Sequence, residues 1–278
     1  MTTSQTRKTL ERVYQACHRA DWIHPDPLEC VYRYAASADR EIAGLIAAAL
    51  AYGRVVQILR SVSAVLDPMG ASPHEFLLTH SDAAIRKTFD GFRHRWTSGA
   101  ELAGFLIGIR RMLRQRGSLE AGFLRFHRPD SDDTLAGLAG FVNEIAGEAA
   151  RNSLLPDPQK GSACKRLHLY LRWMVRSDAI DPGCWSGVRP DQLIVPLDTH
   201  LHRLGLALNL TQRKQADLKT ALEITDRFKT IAPEDPLRYD FALTRLGIRA
   251  DLDPADFIPT RRTPKRKNGK RISAPLVP

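Results

Sequence analysis

The chain has 278 residues, 43% of them hydrophobic and 26% charged, and its 41 lysines and arginines outnumber its 31 acids by ten. This balance excludes a wholly disordered chain, and 18 glycines with 17 prolines exclude a collagen-like repeat. An aromatic content of 7%, with apolar content resting on Leu and Ala, favours helices over a β-sandwich, and the basic surplus suits a polyanionic partner.

The N-terminal stretch MTTSQTRKTLERVYQ lacks the apolar core of a signal peptide, and residues 5–20 read as a first helix. From Asp39 to Leu66, Ile42, Leu45, Ile46, Ala49, Leu50, Val56, Leu59 and Val62 keep helical spacing, with Ser37 and Asp39 offering N-cap chemistry. Gly53 predicts a break into two helices joined by a tight turn at Tyr52-Gly53-Arg54. The apolar run from Ile42 to Tyr52 is too short to span a bilayer, so no membrane partner is expected. Asp67-Pro68-Met69-Gly70 is a stop. Helices are expected over 73–80, 82–89, 98–115, 119–126 and 132–150. Pro and Gly mark 151–161 and 178–192 as loops flanking a helix from Ser162 to about Arg176. Further helices begin near Thr199 and cover 214–230 and 235–248, closing a single helical body over 1–258. No long alternating strand pattern and no internal repeat is evident.

From Pro259 the chain reads as a disordered tail, with seven bases and no acid between Arg261 and Arg271. Without those seven the body carries 34 bases against 31 acids, a net of +3, so most of the surplus is tail. Cys17, Cys30, Cys164 and Cys184 show no CxxC spacing, which argues against a disulfide scaffold or an iron–sulfur site and for a cytoplasmic setting.

Two helix starts carry the chemistry. In Gly161-Ser162-Ala163-Cys164-Lys165-Arg166, Ser162 is a good N-cap and places Lys165 in the first turn. There the positive helix end and Arg166 both disfavour an ammonium, which suits Lys165 to act as an amine nucleophile. On a helical wheel Leu167, Tyr170, Leu171 and Met174 form the buried stripe, and Lys165 lies opposite, with Arg172 and Arg176, on a face suited to phosphates. The plainer reading is a solvated lysine beside a helix end. In Val195-Pro196-Leu197-Asp198-Thr199-His200, Asp198 is either an ordinary N-cap or an anion that stabilises a developing cation. His200 and His202 are two apart, about 200° around a helix, and cannot share a metal. No metal or cofactor is expected. An amine nucleophile beside an ionised carboxylate suits attack on a sugar anomeric carbon.

These segments carry a resemblance. VPLDTH resembles the VDTH-type segment of the helix-hairpin-helix DNA glycosylase superfamily, and KRLHLYLRWM resembles the lysine helix of the archaeal 8-oxoguanine glycosylases, with a similar separation of 33 positions between Lys165 and Asp198. GSACKRLHLYLRWMVR, EIAGLIAAALAYGRV and PEDPLRYDFALTRLGI are similar to a bacterial family of uncharacterised proteins placed near these enzymes, over most of residues 38–248. The resemblance implies an all-α, helix-hairpin-helix glycosylase-like fold with two helical lobes around a cleft. It implies a monomeric DNA repair glycosylase with AP-lyase activity, acting on damaged double-stranded DNA with an oxidised purine favoured. Lys165 and Asp198 would be catalytic. Arg54 or Gln57 would fill the gap left by a flipped nucleotide, and Ser162, Arg166, His200 and Arg203 would contact nucleic acid. LLPDPQKGSACK departs from the superfamily's LPGVG hairpin, and the C-terminal iron–sulfur cysteines are absent. The alternative is a catalytically inactive nucleic-acid-binding protein of the same fold. Trp22, Trp96, Trp173, Trp185 and Tyr170 are candidate stacking partners.

Overall fold

The computed structural model describes residues 2–147 and 153–258; the expected basic tail and the end of the 132–150 helix lie outside the described residues. Helices α1 (Thr3–Cys17), α2 (Ser37–Ala49), α3 (Val55–Leu66), α4 (Pro73–Thr79), α5 (Asp82–Thr88), α6 (Gly99–Arg116), α7 (Leu119–Leu124) and α8 (Leu135–Ala146) precede the loop at 153–164. Helices α9 (Lys165–Val175), α10 (Thr199–Ala207), α11 (Leu218–Lys229), α12 (Asp240–Ile248) and α13 (Pro254–Phe257) follow it. Among the described residues the all-α expectation holds apart from one short antiparallel hairpin, β1 (Arg93–His94) and β2 (Thr97–Ser98). Two residues per strand are too few to leave an alternating pattern in the sequence. Among the described residues no helix is long and apolar enough to cross a membrane.

Local chemistry sets the helix ends. Thr2 with Gln5 and Ser98 with Glu101 form reciprocal capping boxes at the starts of α1 and α6. Gly53, at φ 104°, makes the expected break between α2 and α3 in a conformation that side chains rarely adopt. The expected cap of α2 is corrected. Its N-cap is Ala36, with no side-chain bond, and Asp39 instead accepts hydrogen bonds from Ser72 Oγ (2.7 Å) and His74 N (3.0 Å), tying α2 to the start of α4.

Helix α2 is the central element, buried from Glu41 to Ala49, and packs on α9, α3, α4 and the turn at 27–33. Gly44 permits the close approach to α9: a Cβ there would meet Met174 Cε at 2.8 Å. From α9, Leu167, Tyr170, Leu171 and Met174 enter the core as expected. Each such buried apolar side chain contributes roughly 1.5–3 kcal/mol. Helix α6 packs against α4, α5, α7 and α8, while α12 packs against α1 and α10. Glu41 crosses inside. Its carboxylate accepts from Leu119 N (2.9 Å), Glu120 N (3.1 Å) and Trp185 Nε1 (3.1 Å), capping α7 from the core. Burial nonetheless pushes its carboxyl group up from the usual range.

Candidate active site

Lys165 is the first residue of α9, but Ser162 is not its cap. The N-cap is Cys164, in the left-handed region at φ 41° and without a side-chain bond, and Ser162 is exposed. Ser162 Oγ accepts weakly from Cys164 N at 3.4 Å, and its backbone bridges to Asp217. Leu218 N donates to Gly161 O at 3.0 Å, so the turn carrying Lys165 is pinned to the start of α11. At the other helix start Asp198 is the N-cap of α10, and its Oδ1 accepts from His200 N (2.9 Å) and Leu201 N (2.8 Å). Its second oxygen, Oδ2, lies 3.2 Å from Lys165 Nζ. Cap and ion-pair partner are therefore one residue using two oxygens. The lysine side chain is 37% exposed and the aspartate 18%.

The pair faces a cavity of about 640 Å³. Helix α9 contributes Lys165, Leu169 and Arg172, at spacings of four and three that define one helical face. Helix α12 contributes Asp240, Phe241, Thr244, Arg245 and Ile248, and the α2–α3 turn contributes Tyr52, Gly53 and Val55. The segment from His24 to Pro27, Ile58 of α3, Pro196 with Asp198 to His200 at the start of α10, and Arg249 to Asp251 after α12 also line it.

The deep end is charged. Arg172 bonds Asp181 at 3.0 Å and Asp240 at 2.5 Å, and Arg245 bonds Asp26. Asp240 Oδ1 and Arg245 Nε are buried without a hydrogen-bond partner among the described residues. Burial pushes the Asp240 carboxyl above the usual carboxylate range, with the Arg172 charge opposing it. Behind this layer Arg176 bonds Asp235 and Asp178, each at 2.8 Å, and also Asp181. For Asp178, burial opposes ionisation, but the His18 contact, the Arg176 charge and two backbone N–H groups outweigh it and hold the carboxyl well below the usual range.

This network overturns the phosphate-binding face expected around Arg172 and Arg176. Both arginines are 3% exposed and are occupied by buried carboxylates. A helical wheel of α9 assigns them to solvent because their partners lie up to 68 residues away in sequence. Arg166 is likewise turned inward. It donates to Ala49 O and to Ser153 O (2.5 Å), and its guanidinium carbon lies 5.0 Å from the Tyr52 ring centroid. There it satisfies a last-turn carbonyl of α2. Arg54 and Gln57 are exposed at the start of α3, beside the cavity-lining Gly53 and Val55, and neither lines the cavity. His200 lines the cavity, whereas His202 bonds Arg213 O at 2.8 Å, as their angular separation requires. Arg203 is exposed and reaches Gly247 O at 3.4 Å. Trp173, Trp185 and Tyr170 are core residues, closed to an incoming ring.

Asp26, Asp240, Phe241 and Arg245 went unread in the sequence. The available signal was modest: an acid in the first turn of an otherwise apolar helix, Asp240-Phe241-Ala242-Leu243, followed by Arg245 on its inner side. Among the described residues no group of three His, Cys, Asp or Glu side chains is arranged to hold a metal ion. A family model described as "Protein of unknown function (DUF2400)" matches residues 26–249. No curated protein and no solved structure matches the chain.

Proposed function

We propose that this chain, which belongs to the DUF2400 family, is a DNA base-excision enzyme that removes an oxidised purine from double-stranded DNA and cleaves the strand through a lysine imine. The observation that carries the reading is the 3.2 Å approach of Lys165 Nζ to Asp198 Oδ2 on the wall of a 640 Å³ cavity. That volume lies in the roughly 300–1,000 Å³ range of pockets that enclose small molecules. A base inside it would lie between apolar walls (Leu169, Phe241, Ile58) and a polar end where Asp240 Oδ1 has no partner.

The chemistry follows from the pair. A lysine ammonium has no lone pair to donate, and Asp198 Oδ2 is close enough to take one of its protons. The freed amine attacks C1′ of the flipped nucleotide. The C1′–N bond breaks, its electrons leave with the base, and the proton held by Asp198 goes to that base. Ionised again, Asp198 carries a second proton from the amine to O4′ as the C1′–O4′ bond breaks and the sugar ring opens, and its charge then stabilises the iminium that forms. The Asp198 carboxylate takes a C2′ proton, a C2′–C3′ double bond forms, and the C3′–O bond breaks with its electrons leaving on the 3′ phosphate; water then hydrolyses the imine and releases the lysine. The two N–H groups at the start of α10 fix the carboxylate for each of these steps.

The test is borohydride trapping on duplexes carrying one 8-oxoguanine or one abasic site. The native chain is expected to form a reduced covalent adduct, and Lys165→Gln none. Absence of an adduct on every such duplex would remove the lyase chemistry. Salt-sensitive binding that survived in that case would support the inactive nucleic-acid-binding reading instead.

A further inference from the structure

We propose that Trp96 is a built stacking platform for an unpaired nucleobase of a DNA duplex opened at the cavity. Of the four tryptophans, Trp173 and Trp185 are in the core, and Trp22 is half-buried against Arg19 and Arg249. Trp96 alone among them is an exposed side chain, at 60%. It is also held rigidly. The pairing of Arg93 with Ser98 and His94 with Thr97 leaves Arg95-Trp96 as a two-residue hairpin turn, with Arg95 in the left-handed region at φ 54°.

The hairpin is bolted to the α2–α3 turn. His94 is buried, with its ring bonded to Tyr52 O (3.0 Å) and Ser61 Oγ (2.8 Å), and Tyr52 Oη lies 2.5 Å from Thr97 Oγ1. The Tyr52 ring, which lines the cavity, stacks on Trp96 with centroids 4.9 Å apart and planes 20° apart. An aromatic surface thus runs from the cavity wall to the outside. Leaving a tryptophan in water forgoes the stabilisation of burying it. A preorganised ring is useful to a ligand because little motion remains to be frozen on binding.

The surrounding charge selects the ligand. The Arg95 guanidinium lies over the Trp96 ring, 4.8 Å from its centroid, Arg166 sits over Tyr52, and Arg93 and Arg54, next in the chain to His94 and Gly53, are exposed. A cationic partner would be repelled. A flat ring attached to a phosphate meets both requirements, and every nucleobase has a face to stack. Opening a duplex at the cavity leaves one base without its partner, and Trp96 is the ring placed to receive it.

The inference rests on the base-excision reading for where the duplex opens, but its measurement does not need turnover. The probe is a duplex with one tetrahydrofuran abasic-site analogue, which leaves the opposite base unpaired and cannot form an imine. A fully paired duplex is the control. The native chain is expected to bind the analogue duplex with quenching of tryptophan fluorescence. Trp96→Ala should weaken that binding about 5- to 150-fold and leave the paired duplex unchanged. Trp96→Tyr should restore part of the loss, and both variants should keep the native circular dichroism spectrum. Binding by Trp96→Ala within twofold of the native chain would overturn the proposal, as would equal weakening on both duplexes. Absence of any trapped adduct on the reactive duplexes would remove the excision reading and leave this result standing.

Discussion

Asp198 holds two positions at once, and two substitutions separate them. Its Oδ1 caps α10 through two backbone N–H bonds, and its Oδ2 meets Lys165. Asparagine caps a helix about as well as aspartate, whereas alanine at an N-cap costs about 0.5–2 kcal/mol. The Lys165 contact is partly exposed, so solvent screening holds it to roughly 0–1 kcal/mol. Asp198→Asn therefore loses at most about 1 kcal/mol, and Asp198→Ala loses about 0.5–3 kcal/mol. In a chain of this length the alanine variant should melt about 1–12 °C below the native protein and the asparagine variant no more than about 4 °C below it. The assay pairs thermal unfolding, followed by circular dichroism at 222 nm, with borohydride trapping on an abasic duplex. Both variants should lose trapping, because each lacks a carboxylate to take the lysine proton. An asparagine variant as unstable as the alanine variant would refute the division of labour between the two oxygens. An asparagine variant that trapped like the native chain would refute the catalytic part.

Two further predictions concern the buried charged and titratable groups in and behind the cavity wall. His168 is buried on α9 with neither ring nitrogen bonded, and burial lowers its pKa from 6.5 to about 4. The unfolded chain takes up this proton below pH 6.5 and the folded chain only near 4. The stability tied to the neutral ring is thus complete above pH 6.5 and falls by up to about 3 kcal/mol as the pH drops to 4. Urea unfolding at pH 7 and pH 4.5 should show His168→Leu to be less acid-sensitive than the native chain, and equal sensitivity would contradict the assignment. Arg172→Met strands Asp240 without its charge partner and should cost about 3–5 kcal/mol. Adding Asp240→Leu should recover a large part of that loss, and a double variant as unstable as the single one would show that packing, not charge, dominates there.

What the sequence made legible was local. Gly53 marked the α2–α3 break because a mid-helix glycine is costly unless the chain turns there. Asp198 announced a helix start because an acid before an amphipathic run has few other uses. The buried stripe of α9 followed from spacing alone. The long-range chemistry stayed hidden. Arg172 and Arg176 read as a solvent face because a wheel of one helix shows neither the loop that folds Asp181 back onto it nor the distant Asp235 and Asp240. Ser162 read as a cap because its residue type is right, yet Cys164 takes that place while the preceding turn is tied to Asp217 and Leu218. The approach of Lys165 to Asp198 spans 33 positions and could be expected only through a resemblance. The cavity behind them is assembled from five separate stretches of chain.

The central claim is that Lys165 is the residue that joins DNA. The most direct measurement is mass spectrometry of the borohydride-reduced adduct after proteolysis, with the native full-length chain and a duplex containing one abasic site. The expected result is a deoxyribose remnant on the peptide containing Lys165, with no modified peptide recovered from Lys165→Gln. A remnant on another lysine or on the N-terminal amine, at the same yield in both proteins, would contradict it.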